Sequence, residues 1–205
     1  MCIRDRSNRK DLAVGDLVEG DGGWQDYALF GPNETLTKLP AGEDLIARMS
    51  VRGITGLTAY WGLLDIGNPT AGETVLVSAA AGAVGMIVGQ IAKIKGCHVV
   101  GITGSDEKCR WILDDLGFDS AINYKTENIS KVLGKHCPTG IDIYFDNTGG
   151  EILQAALMRM NQGGRIVCCG VVSQYDTSTP LPGPHGMPGL LVVRRLRMEG
   201  FIVLD

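Results

Sequence analysis

Residues 74–95 constrain the fold of this chain more than any other stretch. Residues 75–77 are apolar, and two of the three are β-branched valines, as is typical of a strand buried on both of its faces. A helical pattern follows directly, with polar side chains falling on the opposite face. The apolar residues of this pattern are Val84, Ile87, Val88, Ile91 and Ile94. The stretch therefore predicts a buried strand, a short turn and an amphipathic helix.

The predicted turn carries the pattern Ala80-x-Gly82-x-x-Gly85. Without a Cβ atom, Gly82 would let a pyrophosphate approach the backbone, and Gly85 would let the helix lie close to the strand. The free N–H groups of the first helical turn would face the anion. Ala80 replaces the first glycine of the usual pattern, however, and tight turns that bind nothing also carry glycines. The turn alone leaves both interpretations open.

A second apolar strand, His98–Thr103, ends where the adenosine ribose lies in dinucleotide-binding folds, about 20 residues past the glycines. A site for NAD carries Asp or Glu at this point, whereas this chain has Gly104 and Ser105, followed by Lys108. A lysine at this point, with no carboxylate beside it, favours binding of a ribose 2'-phosphate. The sequence therefore favours NADPH over NADH as the coenzyme. The alternative is that Ser105 caps a helix with acidic residues in its first turn, while Lys108 is solvated. The two interpretations are compatible.

The rest of the chain continues the alternation of strand and helix. Helices are predicted over residues 45–64, 106–116, 129–134, 151–160 and 190–199, and strands over 121–124, 141–146, 165–170 and 201–204. This order predicts an α/β fold with a doubly wound parallel sheet. Residues 12–30 predict short strands that end a β domain, and residues 1–10 predict no regular structure.

Composition excludes several classes of protein. The 205 residues are 44% hydrophobic and carry a net charge of −4 that is spread along the chain. This charge gives no basic surface that would bind nucleic acid or an anionic membrane. The six cysteines have no C-x-x-C spacing, and the three histidines form no ligand cluster with them, so no metal site is expected. No signal peptide or membrane span is predicted. These features indicate a cytoplasmic protein with reduced thiols.

Six stretches in sequence order resemble the zinc-free, NADP-dependent medium-chain oxidoreductases that reduce activated carbon–carbon double bonds. They are similar to the alkenal/one reductase group, which includes the prostaglandin reductases and bacterial curcumin reductases. The stretches are GLTAYWGLLDIG, VLVSAAAGAVGMIVGQIAKIKGCHVVGITGSDEKC, LGFDSAINYK, IDIYFDNTGG, RIVCCGVVSQY and RMEGFIV. Six linked motifs are far more specific than one glycine turn.

The resemblance implies an NADP-binding Rossmann domain over residues 48–205 and the remnant of a GroES-like β domain over residues 11–47. Members of the family are longer at both ends, so an internal piece of a longer protein is expected. The implied activity is an NADPH-dependent reduction of α,β-unsaturated ketones or aldehydes by hydride transfer to the β-carbon. A cytoplasmic homodimer acting on a small-molecule enone or enal is implied as well.

The resemblance also implies the residues that hold the coenzyme. The phosphate loop would be formed by Gly82, Ala83, Val84 and Gly85. Lys108 would bind the 2'-phosphate, and Tyr124 would lie on the adenosine side. Asn147, which follows the fourth strand, would form a hydrogen bond to the coenzyme. Two further segments would flank the nicotinamide end of the coenzyme. The first is Cys169, Gly170, Val171, Val172, Ser173, Gln174 and Tyr175, and the second is Phe201, Ile202 and Val203.

One departure from the family bears on catalysis. Val193 stands where eukaryotic members carry a tyrosine that is a candidate proton donor, so no catalytic side chain is assigned, and solvent or a coenzyme ribose hydroxyl would supply the proton. Two alternatives remain open. One is a quinone reductase of the same superfamily, and the other is a protein that binds NADPH without turnover.

Overall fold

The computed structural model describes residues 2–3, 9–179 and 183–204 of the chain. Two compact units are distinguished, residues 1–48 and residues 49–205.

The smaller unit contains a three-stranded antiparallel sheet. Its strands are β1 (Cys2–Ile3), β2 (Leu17–Glu19) and β3 (Thr37–Lys38), and helix α1 (Leu45–Met49) follows. Two expectations differ from this structure. Residues 2–3 form a strand although none was expected before residue 11, and the glycine-rich residues 20–30 form none. The remainder of residues 1–8 lies outside the described part of the chain.

The larger unit is built on a six-stranded sheet in which all neighbouring strands are parallel. The strands are β4 (Thr74–Val77), β5 (His98–Thr103), β6 (Ser120–Asn123), β7 (Ile141–Asp146), β8 (Met160–Cys168) and β9 (Arg197–Gly200). Their spatial order is β6-β5-β4-β7-β8-β9, so the chain runs outward in one direction from β4 and then returns to start again at β7. This arrangement confirms the predicted doubly wound sheet.

Helices cover both faces of the sheet, because each face buries its own apolar cluster. One cluster joins the sheet to α2 (Ile54–Trp61), the π-helix Gly62–Gly67, α3 (Gly85–Ile94) and α4 (Asp106–Asp114). The other joins it to α5 (Ile129–His136), α6 (Gly150–Leu157) and α7 (Met187–Arg194). Cys168 packs with the second cluster and Cys169 with the first, as expected for adjacent residues at a strand end.

Helical spacing places Leu57, Trp61 and Leu64 on one face and predicts that this face is buried, which is wrong for the residues of α2. Leu57 and Trp61 are 46% and 53% exposed, and the buried residues of α2 are instead Gly56 and Ala59. The π-helix that continues α2 has a wider turn, which changes the spacing of its own side chains along the core. Leu63 and Ile66 of the π-helix therefore reach the core.

The last two predicted elements are also displaced. The helix predicted over residues 190–199 is α7, Met187–Arg194, which ends because Arg195 adopts a left-handed backbone with φ of 52°. The strand predicted over 201–204 is instead β9, Arg197–Gly200, whose residues pair with β8 from Arg165 to Cys168. Residues 201–203 therefore follow the carboxyl end of the strand.

Candidate functional site

The strand order places a crevice at the carboxyl ends of β4 and β7. Helix α3 follows β4 on one face of the sheet, and α6 follows β7 on the other face. At such a point of reversal the two loops diverge and leave an opening between them, which is where open α/β sheets bind ligands. The residues after β4, β5, β7 and β8 therefore form the candidate site.

The turn after β4 is held to both neighbouring strands. The Ser78 N–H donates to the carbonyl of Phe145 over 3.1 Å, and the Ala80 N–H donates to the carbonyl of Ile102 over 3.0 Å. Ala79 adopts φ of 48°, and Ala80, which replaces the first glycine of the motif, is fully buried. An alanine is accommodated there because its methyl group packs into the core opposite Gly101.

The close approach predicted at Gly85 is confirmed, and the pyrophosphate contact at Gly82 stays a prediction. A Cβ atom on Gly85 would lie 2.4 Å from the carbonyl oxygen of Ala79, so only glycine lets α3 pack this closely on the turn. Gly82 is exposed. Within the described chain, the backbone N–H groups of Ala83 and Val84 donate to no acceptor. The turn therefore offers exposed donors at a helix start, as a diphosphate requires.

Asn147, directly after β7, forms the opposite wall of the crevice. Its N–H donates to the Ser78 hydroxyl over 2.9 Å, and its side-chain Nδ2 donates to the Ser78 carbonyl over 2.7 Å. Both residues are buried. The amide thus joins the ends of β4 and β7, and it is held in one orientation by this pair of bonds.

Asp146 organises the turn that follows. One of its carboxylate oxygens, Oδ1, accepts hydrogen bonds from the Tyr144 hydroxyl at 2.8 Å and from the N–H groups of Thr148 and Gly149 at 2.9 and 2.8 Å. Gly149 and Gly150 have φ of 66° and 59°, which glycine adopts without strain. Burial and the Asp146 carboxylate raise the pKa of Tyr144, so its hydroxyl remains a donor. Sequence analysis missed Asp146 and Ser78, although each is a polar residue at the end of a buried strand.

The predicted segment 169–175 lies beside this turn. The Cys169 and Gly170 N–H groups donate to the carbonyl of Asp146, and the Val172 N–H donates to that of Asn147. A Cβ atom on Gly170 would lie 3.2 Å from the Tyr175 hydroxyl, so the segment folds back on itself. The structure therefore brings the Asn147 turn and this segment together.

The predicted residues 201–203 lie at the same edge of the sheet, after β9. The Phe201 ring packs against Gly62 at the start of the π-helix, where a Cβ atom would lie 2.6 Å from the ring carbon Cζ. Ile202 is 68% exposed. Phe201 thus contributes to the core, while its neighbour faces solvent.

The adenosine end of the site is formed by the ends of β5 and β6. Ser105 caps α4, because its hydroxyl accepts the Lys108 N–H over 3.2 Å. The Lys108 side chain is exposed, and Tyr124 follows β6 with its ring against Gly104. The capping role of Ser105 is confirmed, and the phosphate-binding role of Lys108 stays a prediction that its exposure permits.

A parallel sheet of this order, with a glycine-led helix start at its point of reversal, is the dinucleotide-binding fold of dehydrogenases. The chain belongs to the family described as zinc-binding dehydrogenase, whose model matches residues 83–205.

The relatives are those that the sequence resemblance indicated. The chain is 43% identical over 200 residues to the NADPH-dependent curcumin reductase of Escherichia coli, covering 96% of this chain and 58% of the relative. It is 46% identical over 193 residues to the NADP-dependent 2-alkenal reductase of Nicotiana tabacum, covering 93% and 56%. The crystal structure of CurA from Vibrio vulnificus in complex with NADPH superposes with a TM-score of 0.88 at 43% identity, covering 98% of this chain and 60% of that one. The chain therefore spans about three fifths of the length of these relatives.

The metal in the family's description does not fit the residues of this structure. Among residues 2–3, 9–179 and 183–204, no three His, Cys, Asp or Glu side chains are grouped so that they could hold a metal ion. In the same ranges, no helix has the length and apolar character needed to cross a membrane.

Proposed function

We propose that this chain forms the NADPH-binding part of an oxidoreductase that reduces the C=C bond of α,β-unsaturated ketones and aldehydes. The observation that carries the proposal is the switch point of the sheet, where the turn after β4 offers exposed N–H donors and the turn after β7 is ordered at Asn147. Support for the substrate class comes from relatives named as reductases of 2-alkenals, curcumin and pulegone.

The residues present fit the coenzyme at both ends. Residues 82–85 would hold its diphosphate, Lys108 and Tyr124 its adenosine half, and Asn147 with residues 169–175 and 201–203 its nicotinamide half. When bound, NADPH supplies the hydride that is added to the β-carbon of the substrate.

The protein itself contributes orientation and a fixed surface rather than a reactive side chain. Asn147 is fixed by two bonds to Ser78, and Asp146 fixes the glycine turn beside it. Val193, on α7, is 74% exposed and has no proton to donate. In this proposal the α-carbon receives its proton from solvent or from a ribose hydroxyl.

Replacing Lys108 tests the coenzyme preference. Lys108→Ala is expected to weaken NADPH binding by about 1.5 to 3 kcal/mol, the range for a hydrogen bond to a charged group, with little change for NADH. Fluorescence titration of each coenzyme against wild type and variant measures the effect. An equal loss for both coenzymes would remove Lys108 from the phosphate site.

The reaction class needs a turnover assay on the longest form of the protein that its gene encodes. Oxidation of NADPH is followed with a simple enone and with a quinone in parallel. Faster turnover of the enone supports the proposal, and faster turnover of the quinone favours the quinone reductase alternative. Binding of NADPH without oxidation by either compound would indicate a non-catalytic binding protein.

We also propose a cytoplasmic homodimer. Among the residues that the structure describes, strand β9 is the last in the sheet order and no strand pairs with its outer edge, and Val192 and Val193 on α7 are 76% and 74% exposed. Cys97, Cys109, Cys137, Cys168 and Cys169 are free thiols, which persist in a reducing compartment. Sedimentation velocity tests the dimer, since a monomer at micromolar concentration would contradict it.

A further inference from the structure

The end of β5 is closed on one side by two side chains that follow β6. A Cβ atom built on Gly104 would lie 3.2 Å from Cε1 of the Tyr124 ring, 3.3 Å from its hydroxyl oxygen and 3.5 Å from Cε of Lys125. Gly104 stands where a site for NAD carries its carboxylate. The Tyr124 ring and the Cε methylene of Lys125 therefore occupy the space into which such a carboxylate would extend.

This arrangement is held by a buried amide. Asn123, the last residue of β6, is 5% exposed, and its Nδ2 donates to Oδ1 of Asp106 in the first turn of α4 over 2.6 Å. Its Oδ1 accepts the backbone N–H of Lys125 over 3.1 Å. Asn123 therefore joins the turn that carries Tyr124 and Lys125 to the helical turn that carries Lys108.

Two exposed lysines consequently follow the ends of the neighbouring strands β5 and β6 on different elements. Lys108 belongs to the first turn of α4, and Lys125 belongs to the turn after β6. Within the described ranges neither ammonium group forms an ion pair, and the adjacent Asp106 carboxylate is engaged by Asn123. A dianionic group placed over Gly104 would be attracted by both lysines.

We propose that Lys125 is a second coenzyme-specificity residue, which holds the ribose 2'-phosphate together with Lys108 while Tyr124 lies against Gly104. This inference rests on the proposed function and deepens it. The two lysine charges would favour a ribose that carries a 2'-phosphate. The free 2'-hydroxyl of NADH would find no carboxylate at Gly104 to accept its hydrogen bond.

The test compares ligands that differ only in the 2'-phosphate. NADPH and NADH, and then 2',5'-ADP and 5'-ADP, are titrated against wild type, Lys125→Ala and Lys125→Arg, with Lys131→Ala on α5 as the control. Lys131 is also an exposed lysine, but it belongs to α5 and not to the turn that follows β6.

Lys125→Ala is expected to weaken NADPH and 2',5'-ADP about tenfold, the equivalent of one charge-assisted hydrogen bond, and to leave NADH and 5'-ADP unchanged. Lys125→Arg should recover most of the affinity, and Lys131→Ala should bind like wild type. An unchanged ratio of NADPH to NADH affinity in Lys125→Ala, with a wild type that discriminates between them, overturns this inference alone. A wild type that binds neither coenzyme, or binds both equally, overturns the proposed function instead.

Discussion

At the scale of single residues, Gly89 shows how closely α3 packs against the segment between α4 and β6. A Cβ atom there would lie 1.9 Å from Cζ of Phe118, a buried ring that cannot move aside. Gly89→Ala is therefore expected to destabilise the fold by about 1 to 3 kcal/mol, as overpacking does. Gly134→Ala in α5 is the matched control, because its Cβ would meet only the mobile end of the exposed Arg159, and the gain in helix propensity is about 1 kcal/mol. Urea unfolding measures both, and equal effects would refute the packing argument.

At the scale of elements, the π-helix Gly62–Gly67 depends on Arg165 of β8. The guanidinium forms two hydrogen bonds to the Glu73 carboxylate at 2.8 and 2.7 Å and donates to the carbonyls of Gly67 and Asn68 at 2.9 and 3.0 Å. Arg165→Met is expected to cost about 2 to 3 kcal/mol in the free energy of unfolding, between the values for exposed and buried ion pairs. The reason is that a partly buried carboxylate and two carbonyls lose their donor.

A double variant separates the two contributions of Arg165. Adding Glu73→Gln to Arg165→Met removes the unpaired charge, so part of the lost stability should return. Chemical denaturation of the two single variants and the double variant gives the coupling energy. Strict additivity of the single effects would show that the ion pair contributes nothing.

At the scale of the whole molecule, stability should fall on both sides of neutral pH. Burial lowers the pKa of His136, and hydrogen bonds from Arg165 and Thr70 hold the pKa of Glu73 below its usual value against the opposing effect of burial. Both groups stabilise the fold above their unfolded pKa, so this stability is lost as the pH falls below about 6.5 and then below about 4.

On the alkaline side, burial raises the pKa of Cys137 to about 12 and that of Cys168 to about 11. The stability that these two protonated thiols contribute is fully present below about pH 8.5, the pKa of an unfolded cysteine. It is lost as the pH rises through their pKa values in the folded protein. Thermal unfolding from pH 3 to 11 measures the profile, and a constant midpoint would contradict the prediction.

The parallel sheet could be predicted from sequence because its strands are buried on both faces. The bounds of β5, His98–Thr103, and β7, Ile141–Asp146, were predicted to the residue, since each is a largely apolar run that ends at a polar or glycine-rich turn. The glycine pattern likewise predicted the close approach at Gly85. These features depend on residues that are near one another in the chain.

The sequence by itself determined the order of strands and helices in the parallel sheet, the close packing at Gly85 and the motifs of the family. Only the tertiary structure decided which side of α2 is buried, where β9 pairs, and that Tyr124 and Lys125 lie over Gly104. The physical reason is distance along the chain. Burial periodicity and backbone conformation are local properties, whereas a π-turn, the register of an edge strand and the meeting of two strand ends depend on partners that folding alone brings together.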